Sequence, residues 1–534
     1  MKIFYKTLFV AAITFMVSLK SFSQTVSESL PTDYLTKEFH AGRRDALRKL
    51  MPDNSVAVIF AYPERVFSQD VNYVYHASPD LYYFSGYKET SAVLLIFKDM
   101  QHGQDGDYNE LLFVQSRDPR LEQWTGKRLG VEGAKSKLGF SKVYNSEEFV
   151  NYAIDLKKFS AVLYGGIPEN EGNMKSLYDA FKQKAAVPEI NKDVQSTAGM
   201  IAQRGSPRNI GRIMTFFKAK FEQPEYKNSD LLGPFINKPD SASLAELKAK
   251  YDAQFGGLVA YSNSMDALRG VKQPEEVELV KKAVEISSIA HAEVMRAIKP
   301  AMSERELQGI FEYVHKKYGA EDEGYPPIVG AGANGCILHY EENNVTEVNN
   351  QLVLMDVGAE YHGYSADVTR TVPANGKFTE EQKAIYQLVY DAQEEVFKLC
   401  KEGVPYNKLE EKTQEVLANG LIKLGIIKNA DQVRTYYPHG VSHHLGLDVH
   451  DKGVYGSNLK ENMIITVEPG IYIPAGSKCD KKWWDIGVRI EDDVLIGKDN
   501  CTLLSIDAPR KWQDVEKTVA DKSIFDLAKF PPLK

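Results

Sequence analysis

Apolar positions along this chain fall into short compact runs and into stripes of helical spacing, and the two kinds predict different elements. Residues 38–50 repeat at helical spacing and read as a short amphipathic helix. Residues 56–61, 92–97, 110–114 and 161–164 are short apolar runs bounded by turn-forming residues, as strands are. Residues 185–245 are less regular, with scattered Pro, Gly, Asn and charge, and helical additions joined by loops are expected there. Gln273-Pro274-Glu275-Glu276 is a helix start, with proline in the first turn and acids beside the positive end of the helix dipole. The helix should reach about Ile298, with Val277, Val280, Ala283, Val284, Ala290, Val294 and Ile298 as its apolar stripe and the small Ser287 on the same line.

Beyond it the chain is richer in β-like runs, at 352–357, 365–372, 463–467 and 487–496. Helices at 380–400 and 406–424 separate the first pair of runs from the second. That order predicts an α+β unit, with helices on one side of a curved, mainly antiparallel sheet, preceded by an α/β unit. With 534 residues the chain exceeds the ~250–300 at which one core usually splits, so two domains are expected, at 33–265 and 266–512, followed by a charged tail at 513–534. No solenoid-like repeat is present.

Composition changes this picture little: 43% hydrophobic and 26% charged residues suit a buried core. A net charge of -8 leaves no cationic excess for phosphates, so nucleic acid is not an expected partner. The N-terminus changes it more. Lys2 and Lys6 precede an apolar stretch at 7–19, and the small Ser21 and Ser23 offer a cleavage site before Gln24. Residues 1–23 thus read as a signal peptide, and the mature protein is expected to be exported, periplasmic or secreted, with no membrane association after cleavage. Cys336, Cys400, Cys479 and Cys501 are too sparse for a disulfide framework or a cysteine zinc site, although one bridge is possible in an oxidising compartment.

Candidate chemistry lies in the second half. In LVLMDVGAEYHGYSADVTRTVP, Asp356 and Asp367 sit inside apolar strand sequence, where a carboxylate costs several kcal/mol unless paired or bound to metal. YYPHGVSHHLGLDVHDKG places His439, His443, His444 and His450 together in a chain with only 11 histidines, and imidazole is both a metal ligand and an acid–base group. Glu468 ends the run MIITVEPGIYI. In GVRIEDDVLI, Arg489 and Glu491 are two apart on one strand and so share a face; Asp492 and Asp493 read as a solvated acidic turn. Four carboxylates and one imidazole can share a site, balance two divalent cations, and leave a bridging water as nucleophile. Oxygen-rich ligation with one imidazole suits Mn²⁺ best, with Co²⁺, Fe²⁺ or Zn²⁺ also acceptable. Gly330, Gly332 and Gly335 match GxGxxG but follow Pro326-Pro327 and precede CILHY, not a helix, so a dinucleotide fingerprint is not read there.

As a set, NGCILHYEEN, LMDVGAEYHGYSADVTRTVP, HGVSHHLGLDVHD, TVEPGIYI and GVRIEDD resemble the creatinase/methionine-aminopeptidase "pita-bread" superfamily, most closely its aminopeptidase P family. ASPDLYYFSGYKETSAVLLI and QWTGKRLG resemble that family's creatinase-like N-terminal domain. The likeness covers roughly residues 38–512 and is weakest near 185–250, which looks longer than in short members. The resemblance implies hydrolysis of the bond before a proline at position two of a peptide, with release of the first residue. It implies that Asp356 chelates one metal, that Asp367 and Glu491 bridge both, and that His443 and Glu468 hold the other. Glu468 would take the water's proton, His339 would shuttle protons or hold the substrate main chain, and His450 would meet the scissile carbonyl. His439 would face the proline side, Arg489 and Tyr472 would orient the site, and Tyr325 would contact substrate. His444 has no assigned role and is expected to be exposed or packing. The implied assembly is a homo-oligomer, a dimer or tetramer. A prolidase restricted to dipeptides is the main alternative. A non-catalytic peptide-binding module is another, disfavoured because every ligand position is filled.

Overall fold

The computed structural model of the chain describes residues 31–103 and 106–527, so the expected signal segment lies outside the described residues. The described residues from Thr36 onward form one compact unit. Its first element is the helix Lys37–Leu50, opened by the Thr36 hydroxyl, which accepts the Phe39 N–H. Phe39, His40, Arg44 and Leu47 form its buried stripe.

The helix packs on a five-stranded mixed sheet in the spatial order Val143–Asn145, Gly106–Val114, Val93–Gly103, Ser55–Phe60, Ala161–Tyr164. The two outer pairings are parallel and the two inner ones antiparallel. Ser55–Phe60 is an interior strand, paired on both edges and buried on both faces, which is why it reads as an unbroken apolar run. All four runs expected as strands in this half are strands. Val143–Asn145 was not expected, being too short to show a pattern.

The irregular stretch is helical. The helices Lys192–Arg204, Ile210–Phe216 and Gly233–Asn237 gather around the start of the long helix Ser241–Arg269. They bury a core of their own that includes Val194, Ile201, Phe221, Leu232, Phe235, Leu247 and Phe255. Ser241–Arg269 carries the chain across the expected division at 265/266.

Helix Pro274–Ala297 starts as expected, with Gln273 and Glu276 forming a capping box, and is capped by Ile298. Four antiparallel sheets follow, of which the small one of Asp322–Glu323, Ala359–Tyr361 and Tyr364–Ser365 lies apart from the three that carry the site. Thr369–Pro373, Leu352–Asp356 and Ile328–Ala331 form one. Ile464–Val467, Asp492–Ile496 and Cys501–Leu503 form another. Gly470–Ile473 and Ile486–Arg489 form a hairpin. A bridge between Thr369 and Glu491 joins the first ladder to the second.

Two expected runs are broken. The run at 365–372 splits around Ala366, Asp367 and Val368, and the run at 487–496 splits at Ile490 and Glu491. The expected solvated turn at Asp492 and Asp493 is a correction: both are fully buried at the start of a strand. Asp492 accepts from Arg370 and Ser505, each at 2.6 Å, and Asp493 accepts the Asp367 N–H at 3.0 Å. Donors offset the burial of Asp492, whereas Asp493 takes that one N–H, leaves Oδ1 without a partner, and is pushed well above the usual carboxyl range by burial.

The period of two along these strands decides what faces the site. Val353, Met355, Val372, Val467, Val488 and Ile490 point into the main core, which the helices Pro274–Ala297 and Glu380–Phe397 help to build. Leu354 points the other way, into a small cluster with Ile328, Tyr340 and Tyr472. Alternation therefore turns Asp356, Thr369, Thr371, Glu468, Arg489 and Glu491 onto that second face. Among the described residues no helix is long and apolar enough to cross a membrane.

Candidate active site

Register brings the strand-borne acids together. Asp356 pairs with Thr369, and the Glu491 N–H donates to the Thr369 carbonyl at 3.1 Å. The histidine-rich segment is held along the edge of strand Ile464–Val467. The Thr466 N–H donates to the His443 carbonyl, and the Glu468 N–H donates to the Val441 carbonyl. His443 therefore sits opposite Thr466 and sends its ring toward Asp367 and Glu468.

Donor atoms of Asp367, His443 and Glu491 lie within 4.8 Å of one another. His443 Nε2 is 3.3 Å from Asp367 Oδ2 and 3.5 Å from Glu468 Oε1. Asp356 is tied in through Tyr325, whose hydroxyl lies 2.5 Å from Asp356 Oδ1 and 2.7 Å from Asp367 Oδ1. All five expected ligands line one cavity of about 450 Å³, together with His339, His439, His450 and Arg489.

Behind the acids stands a set of fixed donors. Arg489 donates to Asp356 Oδ2 at 2.5 Å, to the Tyr472 hydroxyl at 2.9 Å and to Thr369 Oγ1 at 3.1 Å. The Thr369 hydroxyl in turn donates a hydrogen bond to Glu491 Oε2 at 2.6 Å. His439 Nε2 is 2.8 Å from the Tyr472 hydroxyl, and its Nδ1 is 2.8 Å from the Gly440 carbonyl. His443 Nδ1 is 3.0 Å from the His444 carbonyl. The proton on that bond sits on Nδ1, so Nε2 is the ring atom turned toward the acids, the one a metal would take in place of its proton.

Crowding shapes the charges. Burial raises Glu468 to about 7 despite the nearby His443, with Asp367 adding to the rise. Burial and the Asp367 and Glu468 charges push Glu491 well above its ordinary range. Asp367 is also raised, by burial and by Asp356. Asp356 alone is lowered, because Arg489 and Tyr325 outweigh its burial. His443 is raised to about 9, since its bond to Asp367 and the Glu468 charge overcome burial. His439 and His450 fall to about 4, both chiefly through burial.

Four acidic groups thus face one guanidinium and one imidazole in a mostly buried pocket. Oxygen-rich donors, one imidazole lone pair and a deficit of positive charge fit divalent cations.

Tyr325 differs from expectation. It lies behind the acids and does not line the cavity, because its hydroxyl is taken by Asp356 and Asp367. Tyr472, buried between Arg489 and His439, hydrogen-bonds to both and does not line the cavity either. His444 is packing: fully buried, it lies against the rings of Tyr406 and Tyr455.

The comparisons with known proteins agree with this geometry. Residues 278–498 match the model of metallopeptidase family M24, and residues 40–164 match that of the aminopeptidase P N-terminal domain. The Xaa-Pro aminopeptidase of Escherichia coli (strain K12) is 32% identical over 486 residues, covering 89% of this chain and 96% of the relative. The chain belongs to metallopeptidase family M24, in its aminopeptidase P branch.

Human Xaa-Pro aminopeptidase 3 is 29% identical, over 88% of this chain and 82% of its own length. Among solved structures, aminopeptidase P from E. coli with the inhibitor Pro-Leu aligns with a TM-score of 0.69 at 30% identity, over 91% of this chain and 98% of that one. The Pseudomonas aeruginosa aminopeptidase aligns with a TM-score of 0.71 at 31% identity over the same shares. The chain is therefore a pita-bread hydrolase of the metallo-aminopeptidase kind. The helical stretch with its own core falls between the two matched segments.

Some of this M24 site was not legible beforehand. Thr369, which links Arg489 to Glu491, looks like any strand threonine. It could have been found only by counting alternate positions from Asp367. Asp493 was hidden because adjacent acids usually mark solvent. Ser442 and Tyr455 join the cavity wall from loops that carry no period.

Proposed function

We propose that the protein is a dinuclear-metal Xaa-Pro aminopeptidase that removes the first residue of peptides with proline second. One observation carries the reading: five separately encoded ligand side chains converge on one cavity face, three of them within 4.8 Å. Asp356 would hold one divalent ion, Asp367 and Glu491 both, and His443 and Glu468 the other, with Mn²⁺ the best match to the donor set. When bound, such a pair polarises a carbonyl and lowers the pKa of a water toward ~7.

The chain's own side chains do the rest. Glu468 is placed to take the proton from the attacking water. His450, in T-shaped contact with His443 at 4.3 Å between ring centroids, stays neutral above about pH 4 and can donate an N–H to the carbonyl oxygen as charge develops there. His339 lines the same cavity, within reach of the substrate main chain. Arg489, through Tyr472 and Thr369, keeps the acids and His439 in place. Proline suits this site because an Xaa-Pro bond lacks the N–H that extended docking needs. A site that grips the free amine with acidic groups does not need it, and so removes one residue at a time.

Dipeptide-only cleavage needs a cation for the proline carboxylate. Among the described residues lining the cavity, the only Arg or Lys is Arg489, and its charge already faces Asp356 and Glu491, with three of its N–H donors on Asp356, Tyr472 and Thr369. That supports the aminopeptidase over the prolidase. The deciding experiment is a panel of Xaa-Pro-Yaa peptides and Xaa-Pro dipeptides, with metal analysis of the same sample. Release of the first residue from the longer peptides, abolished by chelator and restored by Mn²⁺, is expected. Cleavage of dipeptides alone would make it a prolidase, and binding without turnover in any metal would make it a binding module.

We also propose export and homo-oligomerisation. Export rests on Lys2, Lys6 and the apolar stretch at 7–19, and cell fractionation tests it. Association is supported by Val66, Phe67 and Val74, which leave apolar side chains 62%, 62% and 84% exposed on one short segment. Light scattering on the purified protein tests that.

A further inference from the structure

Glu304 is a fully buried acid far in sequence from the metal ligands, at the start of helix Glu304–Lys317. Its two carboxyl oxygens accept four hydrogen bonds, which uses the whole acceptor capacity of the group. Oε1 takes the Ala331 N–H at 2.8 Å and the Asn334 amide at 3.2 Å. Oε2 takes the Tyr340 hydroxyl at 2.9 Å and the Val345 N–H at 2.9 Å. The Glu304 N–H donates in turn to the Val345 carbonyl at 3.0 Å.

The donors bracket one segment. Ala331 and Asn334 lie before His339, and Tyr340 and Val345 lie after it. Between those anchors the chain makes the short turn Gly332–Cys336 and then an irregular stretch without a ladder of its own. Leu338 and His339 reach the catalytic cavity from this stretch. A loop lacking internal pairing keeps a side chain in place only through its anchors; here one buried carboxyl group supplies four of them on both sides of His339, beside the three bonds that Asn343 makes with Val329, Gln308 and Pro327.

We propose that Glu304 is a positioning residue for His339: it closes the 331–345 loop from beneath and so sets where the His339 imidazole meets the substrate. This rests on the aminopeptidase reading above. Misplacement by about 1 Å at a reacting centre can cost on the order of a hundredfold in rate, so the anchor matters more than its distance suggests.

A double-mutant cycle tests it. Glu304→Gln keeps the shape but loses half of the acceptor capacity. It is expected to lower kcat on a proline-second tripeptide by about tenfold or more, with KM little changed. In the His339→Ala background the same substitution should add less than about twofold. Losses that multiply would overturn the proposal, because a general structural defect does not depend on His339. Tyr340→Phe and Asn334→Ala each remove one donor without stranding the carboxyl group, and keep the test open should Glu304→Gln not fold. Each should lose activity less steeply and show the same dependence on His339. Amide hydrogen exchange in metal-free protein gives a readout separate from turnover. The Ala331 and Val345 amides should exchange faster in Glu304→Gln, with the rest of the core unchanged. Unaltered exchange at both would sink the anchoring. If the unaltered protein releases nothing from such peptides, the functional reading falls, while those two amides still decide whether Glu304 holds the loop.

Discussion

Each acid at the centre of this site has a different environment, and the differences predict different losses. Asp356 is held by Arg489 and Tyr325, and Glu468 stands nearer His443. Both face the cavity and neither supports the main core, so Asp356→Ala and Glu468→Ala should remove turnover by at least about a thousandfold while leaving the circular dichroism spectrum intact. Activity retained in either variant would contradict the ligand assignment. Thr369 makes a subtler case. Its hydroxyl accepts from Arg489 and donates to Glu491. Thr369→Val keeps the shape and removes both bonds, so metal affinity measured by calorimetric titration should weaken by roughly 10–100-fold, as is usual for groups that orient ligands. The acids and histidines themselves were legible, because carboxylates inside apolar runs and four histidines in one short segment are unusual. The hydroxyls that orient them were not, since a threonine in a strand carries no sign of what it faces.

Among the elements, strand Asp492–Ile496 shows how pairing reverses a sequence reading. Two acids in a row suggested a turn, but the ladder with Ile464–Val467 draws both inside. The cost is met by Arg370, Ser505 and the Gln393 amide around Asp492. Arg370 and Asp492 are both completely buried, so Asp492→Ala strands a guanidinium in the core. A loss of about 3–5 kcal/mol in urea unfolding is expected, and an Arg370→Met/Asp492→Leu pair should recover much of it. A loss below 1 kcal/mol in the single variant would show that Arg370 finds other partners. Elements with a compact apolar run or a helical stripe were legible: the strand Ser55–Phe60, the helix Pro274–Ala297 and the strand Leu352–Asp356 all stand close to where the run or the spacing puts them. The short strands and the breaks at Asp367 and Glu491 were not, because a break is made by what a residue meets across the ladder.

For the molecule as a whole, the clustered acids make stability depend on pH and on metal. In the metal-free protein Glu468 is raised to about 7 and His443 to about 9, from ordinary values of 4.5 and 6.5. In each case the folded state binds the proton more tightly than the unfolded state, so the contribution is complete below the ordinary value and is lost as pH rises through the raised one. Below about pH 6.5 the lowered His439 and His450 act in the opposite sense, so it is between about pH 6.5 and 9 that the metal-free Tm should fall, and Glu491 adds to the same trend. Asp356, lowered, acts in the opposite sense, but only below its ordinary value of 3.8. Saturating Mn²⁺ should raise the Tm and flatten this dependence, because a ligand bound only by the folded state stabilises it by mass action. A metal-free Tm that rises across that range, measured by scanning calorimetry, would mean the acids are not crowded as described. What the amino-acid order determined by itself is the set of chemical groups and the period that turns each toward one face, since both are local properties of the chain. Tertiary structure decided which of those groups touch. The distance between Asp367 and His443, the burial of Asp493 and the reach of Glu304 toward the His339 loop depend on ladders and anchors between segments many residues apart, and no local pattern records a contact of that kind.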